Sequence, residues 1–428
     1  MGDRLTAAQA AARLGVRTET LYAYVSRGLI ARERGAHGST FDVLDVEAFA
    51  RRRRRATGPS HGAARAAGSD GSPLGVIDTD IALIEDGELW LRGVPVDVLA
   101  AADDGGGRFD AVVTWLFARS PAPDPRTRPL PVPPGAAAAR ATVAALPGGA
   151  PAFSRLLAAV AALSAVDPER YDPGPEAVAR IAARLIAGMV DALPVRGADP
   201  GGEVPLAARL WARLTAVPAQ DARVAVLDAA LVTLVDHDMA VSTLAARAAA
   251  SARAHPYAVV AAGLGALDSA LHGAVSGTAQ RMLQEVRDGA DPAAAVAAAS
   301  RAGRAGIPGF GQPSYPAGDP RAAVVLGRMR VSGDNAARDA VRVADAVGAV
   351  VEQRTGLRPT VDLALATMAL AWDMPYDAGE TVFAVSRAAG WCAHALDEYS
   401  RPPLRLRPLG RYTGPDPADV QHSVSNAR

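Results

Sequence analysis

Two residues stand out for the proton chemistry their side chains can do. His272 follows an apolar Ala/Leu run in LHG, and Asp362 opens the apolar stretch VDLALATMALA. Burial raises a carboxyl's pKa and makes it a stronger base, while a buried neutral imidazole can donate a hydrogen bond to an oxygen that gains charge. Taken alone, such a histidine is more often a satisfied core residue, and such an aspartate more often a helix N-cap. All 45 basic residues are arginine and none is lysine, and the arginine fork suits a carboxylate, so an anionic substrate is compatible with this composition. The absence of lysine excludes a Schiff-base lysine and a phosphate-loop lysine. The single cysteine, Cys392, excludes an intrachain disulfide and any multi-cysteine metal site, so metal ligands would have to be histidines and carboxylates, and no metal site is expected among them.

Placing these groups requires a sizeable scaffold. With 428 residues, 50% hydrophobic and 21% charged, the chain is long enough for two or three packed domains. The opening MGDRLTAAQA lacks the apolar run of a signal peptide, and charges interrupt every later apolar stretch. A cytoplasmic protein with no membrane partner is expected. The net charge of zero conceals an asymmetry: residues 1–56 hold eleven arginines against six carboxylates, and the remainder holds 34 against 39. Residues 57–73, rich in Gly, Ser and Pro, have the composition of a flexible linker.

Residues 1–56 contain the pattern of a small helical reader. Thr6 with Gln9 forms a capping-box pattern for a helix that Gly15 stops; Thr18 is expected to cap a second helix that Gly28 closes. Leu29–Arg32 and Thr40–Val43 are expected to pair as a wing, and Asp45 to cap a third helix ending in the arginines 51–55. The outer face would present Arg17, Thr18, Thr20, Tyr22 and Arg27, types that reach phosphates and base edges. This segment resembles the winged helix-turn-helix domain of the MerR and excisionase type, which implies DNA as a partner. The bland alternative is a three-helix appendage with a solvated arginine tail.

Beyond the linker, IALIEDGELWLR alternates around Asp86-Gly87, a two-residue hairpin signal. Thereafter strand signals nearly vanish. Segments such as 153–165, 176–193, 222–235, 243–253, 321–330, 335–355 and 379–397 carry apolar residues at helical spacing, whereas 119–136 is too rich in proline for a helix. The fold class is mainly α.

Several stretches taken in order, DHDMAVSTLAAR (236–247), LHGAVSG (271–277), IPGFGQPSYPAGDPRA (307–322), VDLALATMALAWDMP (361–375) and FAVSRAAGWCAHALDEY (383–399), resemble the citrate synthase and 2-methylcitrate synthase family. The match runs from about residue 74 to the end. It implies a two-domain helical fold with a large domain of residues 74–255 and 361–428 and a small domain of residues 256–360, facing across a cleft. By motif, His272 would hydrogen-bond the thioester oxygen of acetyl-CoA while Asp362 removes a methyl proton to form an enol. Arg321, Arg387 and Arg407, helped by His237, would bind oxaloacetate. Arg407 has Arg405 and Arg411 close by, and in the family its counterpart comes from the partner subunit of a homodimer.

The chain also departs from the family pattern. Where GFGHRVY is usual it has GFGQPSY, so Gln312 stands for the histidine that polarises the ketone and Pro313 for an arginine. Asp238 replaces Glu, Ala240 replaces Asn and Ser276 replaces Asn. Glutamine still offers an N–H to a developing alkoxide, although loss of an oxyanion donor costs on the order of a hundred- to a thousandfold in rate.

The expected function is condensation of acetyl-CoA or propionyl-CoA with oxaloacetate or a related 2-oxo acid, with no cofactor beyond the acyl-CoA substrate. The competing reading is a transcription regulator whose synthase-like domain senses CoA esters or carboxylates, and a third is a structural subunit. A linker spanning roughly 20 to 25 Å would leave the front module loosely tethered, with DNA binding only weakly dependent on CoA ligands.

Overall fold

The computed structural model describes residues 4–35, 38–57, 76–101, 107–269, 275–302, 306–406 and 413–414. His272, Arg407 and the 57–73 linker beyond Thr57 therefore lie outside the described residues.

The first unit is a three-stranded antiparallel sheet with three helices. Strand β1 (Arg4–Thr6) leads into α1 (Ala7–Leu14), whose capping box forms as expected and which ends on Gly15 in the left-handed region. Helix α2 (Thr18–Ser26) follows, capped at Arg17 without a side-chain bond, so Thr18 is its first residue rather than its cap. The hairpin is β2 (Glu33–Gly35) with β3 (Gly38–Asp42), and β1 pairs on the far side of β3. The wing thus begins later than the apolar pattern predicts, because the Leu29 N–H is taken by the Tyr24 carbonyl at 3.0 Å in the turn that closes α2. Helix α3 (Val43–Thr57) starts two residues before Asp45; the Asp42 carboxylate takes the free N–H groups of Leu44 and Asp45 at 2.9 and 3.1 Å.

The second hairpin, β4 (Ala82–Glu85) and β5 (Glu88–Leu91), turns on Asp86 and Gly87, both at positive φ, as the two-residue signal predicts. A short β6 (Val94–Pro95) completes that sheet. The rest is helical: α4 (Val96–Ala100), α5 (Arg108–Ala118), α6 (Ala136–Ala144), α7 (Ala152–Val166), α8 (Pro175–Asp191), α9 (Leu206–Leu214), α10 (Asp221–Leu234), α11 (Val241–Ser251) and α12 (Pro256–Leu267). After these come α13 (Val275–Arg287), α14 (Pro292–Ala302), α15 (Pro320–Val331), α16 (Asn335–Thr355), α17 (Val361–Ala371) and α18 (Ala378–Tyr399).

Helix α18 is the axis of the large helical body, packing against α8, α10, α11 and α12. Nearly every residue from Ala378 to Ala395 is buried, so its apolar residues run all round the helix and its polar residues Ser386, Arg387 and His394 are enclosed as well. Gly390 sets its closest approach: a Cβ there would lie 2.3 Å from the Val235 carbonyl oxygen, just past α10. Helices α13, α15 and α16 surround α17, which carries Asp362 near its N-terminus. Helix α3 packs on α14 and α16, so the first unit is seated on the helical body rather than hanging from a linker. No described helix is long and apolar enough to cross a membrane.

Candidate active site

Two backbone segments meet to form the floor of the site. Residues 309–311 run beside residues 358–360, joined by Gly311 N–H to the Arg358 carbonyl at 3.0 Å and Thr360 N–H to the Gly309 carbonyl at 2.8 Å. Gly309 and Gly311 both have positive φ, and a Cβ on Gly309 would press on Leu363 at 3.0 Å. The glycines of GFG therefore permit both the turn and the approach to α17. The segment that carries Gln312 is thereby held alongside the one that delivers Asp362. Gln312 is half-buried, and its carbonyl accepts the Tyr315 N–H at 3.0 Å.

Asp362 is the second residue of α17, whose N-cap is Thr360, so the carboxylate is not itself the cap. Burial pushes its pKa up to about 6, with Arg321 opposing and Asp319 adding to the rise. The Thr360 hydroxyl approaches its Oδ2 at 3.4 Å. A carboxyl in that range is ionised at neutral pH yet more basic than a solvated one.

Asp319 organises this corner, and sequence reasoning assigned it nothing. It caps α15 by accepting the Arg321 N–H, grips the Arg321 guanidinium through Nε at 2.9 Å and Nη2 at 2.8 Å, and accepts the Val361 N–H at 3.0 Å. One buried carboxylate thus orients Arg321 and the start of α17 together. Burial acts against the charge on Arg321, but the Asp319 carboxylate outweighs it and raises the pKa. The guanidinium also lies 5.4 Å from the centre of the Tyr315 ring, which meets the His237 ring edge-on at 5.5 Å. Burial raises the Tyr315 phenol, whose hydroxyl has no hydrogen-bond partner among the described residues.

Arg387 is fully buried on α18. Its Nε donates to the Leu234 carbonyl at 2.8 Å, and its guanidinium lies 4.7 Å from the centre of the Phe383 ring. Both terminal nitrogens, Nη1 and Nη2, lack a hydrogen-bond partner among the described residues. Burial lowers its pKa to about 10, Asp236 partly offsetting and the nearby Arg321 adding to the fall. A buried cation with unmatched donors is costly unless an anion completes it.

Behind Arg387 lies a buried polar chain that the sequence did not disclose. Asp236 accepts from His394 Nε2 at 3.1 Å, while His394 Nδ1 faces Arg247 Nη1 at 2.7 Å. Arginine has only donors, so Nδ1 accepts and the ring proton resides on Nε2. Arg247 also bonds Glu398 and Asp397, each at 2.7 Å, and Glu398 pairs with Arg405. Arg247 and His394 fall inside the quoted stretches 236–247 and 383–399, but neither stretch shows the pairing, which spans about 150 residues.

The structure therefore brings His237, Arg321, Arg387, Asp362 and Gln312 to one region, while His272 and Arg407 fall outside the described residues. Of the proposed DNA-contacting side chains, Arg17, Tyr22 and Arg27 are exposed and Thr18 and Thr20 half-buried on α2. Arg27 is folded back, donating to the Ala23 carbonyl and lying over the Tyr24 ring. Among the described residues no cluster of His, Cys, Asp or Glu has the grouping to hold a metal.

The family model described as "Citrate synthase, C-terminal domain" matches residues 72–409. A citrate synthase of Haloferax volcanii is 34% identical over 190 residues, 44% of this chain and 49% of that protein, so the aligned part spans about half of the relative. Citrate synthase 2 of Bacillus subtilis is 29% identical over 277 residues, covering 62% of this chain and 73% of its own. Among solved structures, citrate synthase from Thermoplasma acidophilum, in a ternary complex with carboxymethyl coenzyme A and oxaloacetate, superposes with a TM-score of 0.64 at 22% identity over 80% of this chain and 95% of that one. The enzyme from Pyrobaculum aerophilum gives 0.61 at 23% identity over 90% and 95%.

Proposed function

Because the chain belongs to the citrate synthase family, we propose that it condenses an acyl-CoA, acetyl- or propionyl-CoA, with oxaloacetate or a related 2-oxo acid. The observation that carries this reading is Arg387, whose two terminal nitrogens are buried without partners beside Arg321. A dicarboxylate would supply the missing acceptors. Charge-assisted forks of this kind suit planar carboxylates.

The reaction follows from the placement of charge. Asp362 takes a proton from the carbon next to the thioester carbonyl, and His272, by its place in LHG, donates to the thioester oxygen as the enol forms. The oxo acid is held by Arg321 and Arg387, with His237 beside them and Arg407 contributed by the second subunit of a homodimer. Enol carbon attacks the ketone carbon; the ketone oxygen becomes an alkoxide stabilised by the Gln312 amide N–H and is then protonated. Water hydrolyses the resulting thioester to a tricarboxylate and free CoA thiol. The large body of 74–255 and 361–428 and the smaller one of 256–360 would close over the substrates and exclude water from the enol. Thiol release in a coupled colour assay, with either acyl-CoA and oxaloacetate, tests the reading; no release with any oxo acid at high enzyme concentration would sink it.

A second reading is favoured by one observation, the exposed Arg17 at the N-cap of α2 and Tyr22 on that helix, in a unit that holds eleven arginines within residues 1–56. In that reading residues 1–56 bind DNA, and the cleft senses its ligands. Filter binding across a salt series tests it: duplex affinity should fall steeply with salt, and no affinity at low salt refutes it.

A further inference from the structure

The front unit touches, at two points, the segments that lead into the active-site floor. On the first side, Arg13 of α1 is oriented by Glu47 of α3, which is 2% exposed and bonds its Nε at 2.5 Å. Its Nη2 then reaches the carbonyl and hydroxyl of Ser300 at the end of α14 and the Gly306 carbonyl at 3.1 Å. Gly306 lies six residues before Gln312. On the second side, Arg51 of α3 donates to the Thr355 carbonyl at 2.9 Å, at the last turn of α16. Thr355 lies seven residues before Asp362. Between them, Thr355 Oγ1 accepts the Leu357 N–H at 3.1 Å, and Leu357 presses on Gly311, where a Cβ would lie 2.9 Å from its side chain.

Gly356 is what lets Arg51 enter. It ends α16 at φ +66°, and a Cβ there would lie 2.1 Å from Arg51 Nη1. Arg354 adds exposed pairs to Asp42 at 3.0 Å and Asp45 at 3.4 Å, which contribute little by themselves. The two clamps differ from these because each places a guanidinium on a backbone carbonyl next to the paired segments 309–311 and 358–360.

We propose that Arg13 and Arg51 are positioning residues for the condensation: they brace, from the front unit, the two backbone segments that set Gln312 against Asp362. Neither touches substrate. They act through the hydrogen-bonded pair Gly311 to Arg358 and Thr360 to Gly309, whose register fixes the separation of the ketone donor from the base. Displacement of catalytic groups by about 1 Å costs on the order of a hundredfold in rate, so a brace at this point matters to turnover. By linkage, any ligand that alters the seating of the front unit alters the cleft by the same free energy, in both directions. The kinetic part of this proposal rests on the condensation reading, whereas the structural part does not.

The test uses the full chain and its Arg13→Gln/Arg51→Gln double variant. Amide hydrogen exchange reads the brace without needing turnover. Exchange at Gly311 and Thr360 should quicken on the order of tenfold or more in the variant, while the interior amides of α8 and α18 keep their protection. Where thiol release is measurable, kcat should fall about tenfold or more, and Arg51→Lys, which can still reach the Thr355 carbonyl, should retain more activity than Arg51→Gln. Unchanged exchange at Gly311 and Thr360, or equal loss of protection throughout the chain, overturns the proposal, as does faster exchange with an unaltered kcat. A wild-type chain that releases no thiol removes the condensation reading instead, and the exchange result still decides whether the brace exists.

Discussion

Asp362 should make the protein less stable at the pH where it is most useful. Its carboxyl has a pKa of about 6 when folded, against 3.8 for the ordinary group, because burial disfavours the charge. The folded state therefore holds the proton more tightly than the unfolded state. Stability contributed by this group is full below the unfolded value and is lost as pH rises through about 4 to 6. A shift of about two pH units corresponds to roughly 3 kcal/mol. Replacing the group by its neutral isostere, Asp362→Asn, removes that penalty, so the variant should gain up to roughly 3 kcal/mol over wild type at pH 8 and nearly nothing near pH 4. Urea denaturation of both proteins across that pH series measures the difference, with midpoints and slopes compared at each pH. The same substitution should abolish thiol release. A stability difference that does not change with pH, or a variant less stable than wild type at pH 8, would falsify the assignment of a desolvated carboxylate with a raised pKa here.

Arg387→Met removes two donors held ready for an anion, so oxaloacetate binding measured by titration calorimetry should weaken by about a hundredfold or more, while acyl-CoA binding is little altered; equal losses for both ligands would remove Arg387 from the oxo-acid site. Gln312→His restores a group that can carry charge at the ketone, and thiol release should rise by roughly a hundredfold; an unchanged or lower rate would mean that the pocket is built around glutamine. Gly390→Ala forces α18 away from the Val235 carbonyl 2.3 Å from the new methyl, and the urea midpoint should fall by the equivalent of about 1–3 kcal/mol; a wild-type midpoint would show that the helix can shift freely.

Local chemistry in the sequence was enough to determine much of this molecule. The capping box at Thr6 and Gln9, the turn at Asp86-Gly87, the helical spacing of 335–355 and the proline-rich break before 136 are decided by neighbours a few residues apart, and each appears where the pattern places it. The motif order identified the family, because the spacing of quoted stretches along a chain survives when individual residues change. Short-range reasoning erred by a few residues at element ends. The turn that closes α2 takes the Leu29 N–H and delays the wing, and Asp42 rather than Asp45 capped α3.

Only the folded chain could reveal the contacts that join distant residues. Asp319 carries no signal in the sequence until its second oxygen is seen to hold Val361, 42 residues on. His394 and Arg247 lie in quoted stretches that say nothing of each other, and their pairing with Asp236 and Glu398 appears only when α11 and α18 pack. The linker composition suggested a loosely tethered front unit, yet Arg13 and Arg51 dock it against the helices beside the site. A sequence fixes what each residue can donate, accept or bury within a turn of itself; which partner it meets across 40 or 300 residues depends on how helices close over a shared core, and that is a property of the whole chain.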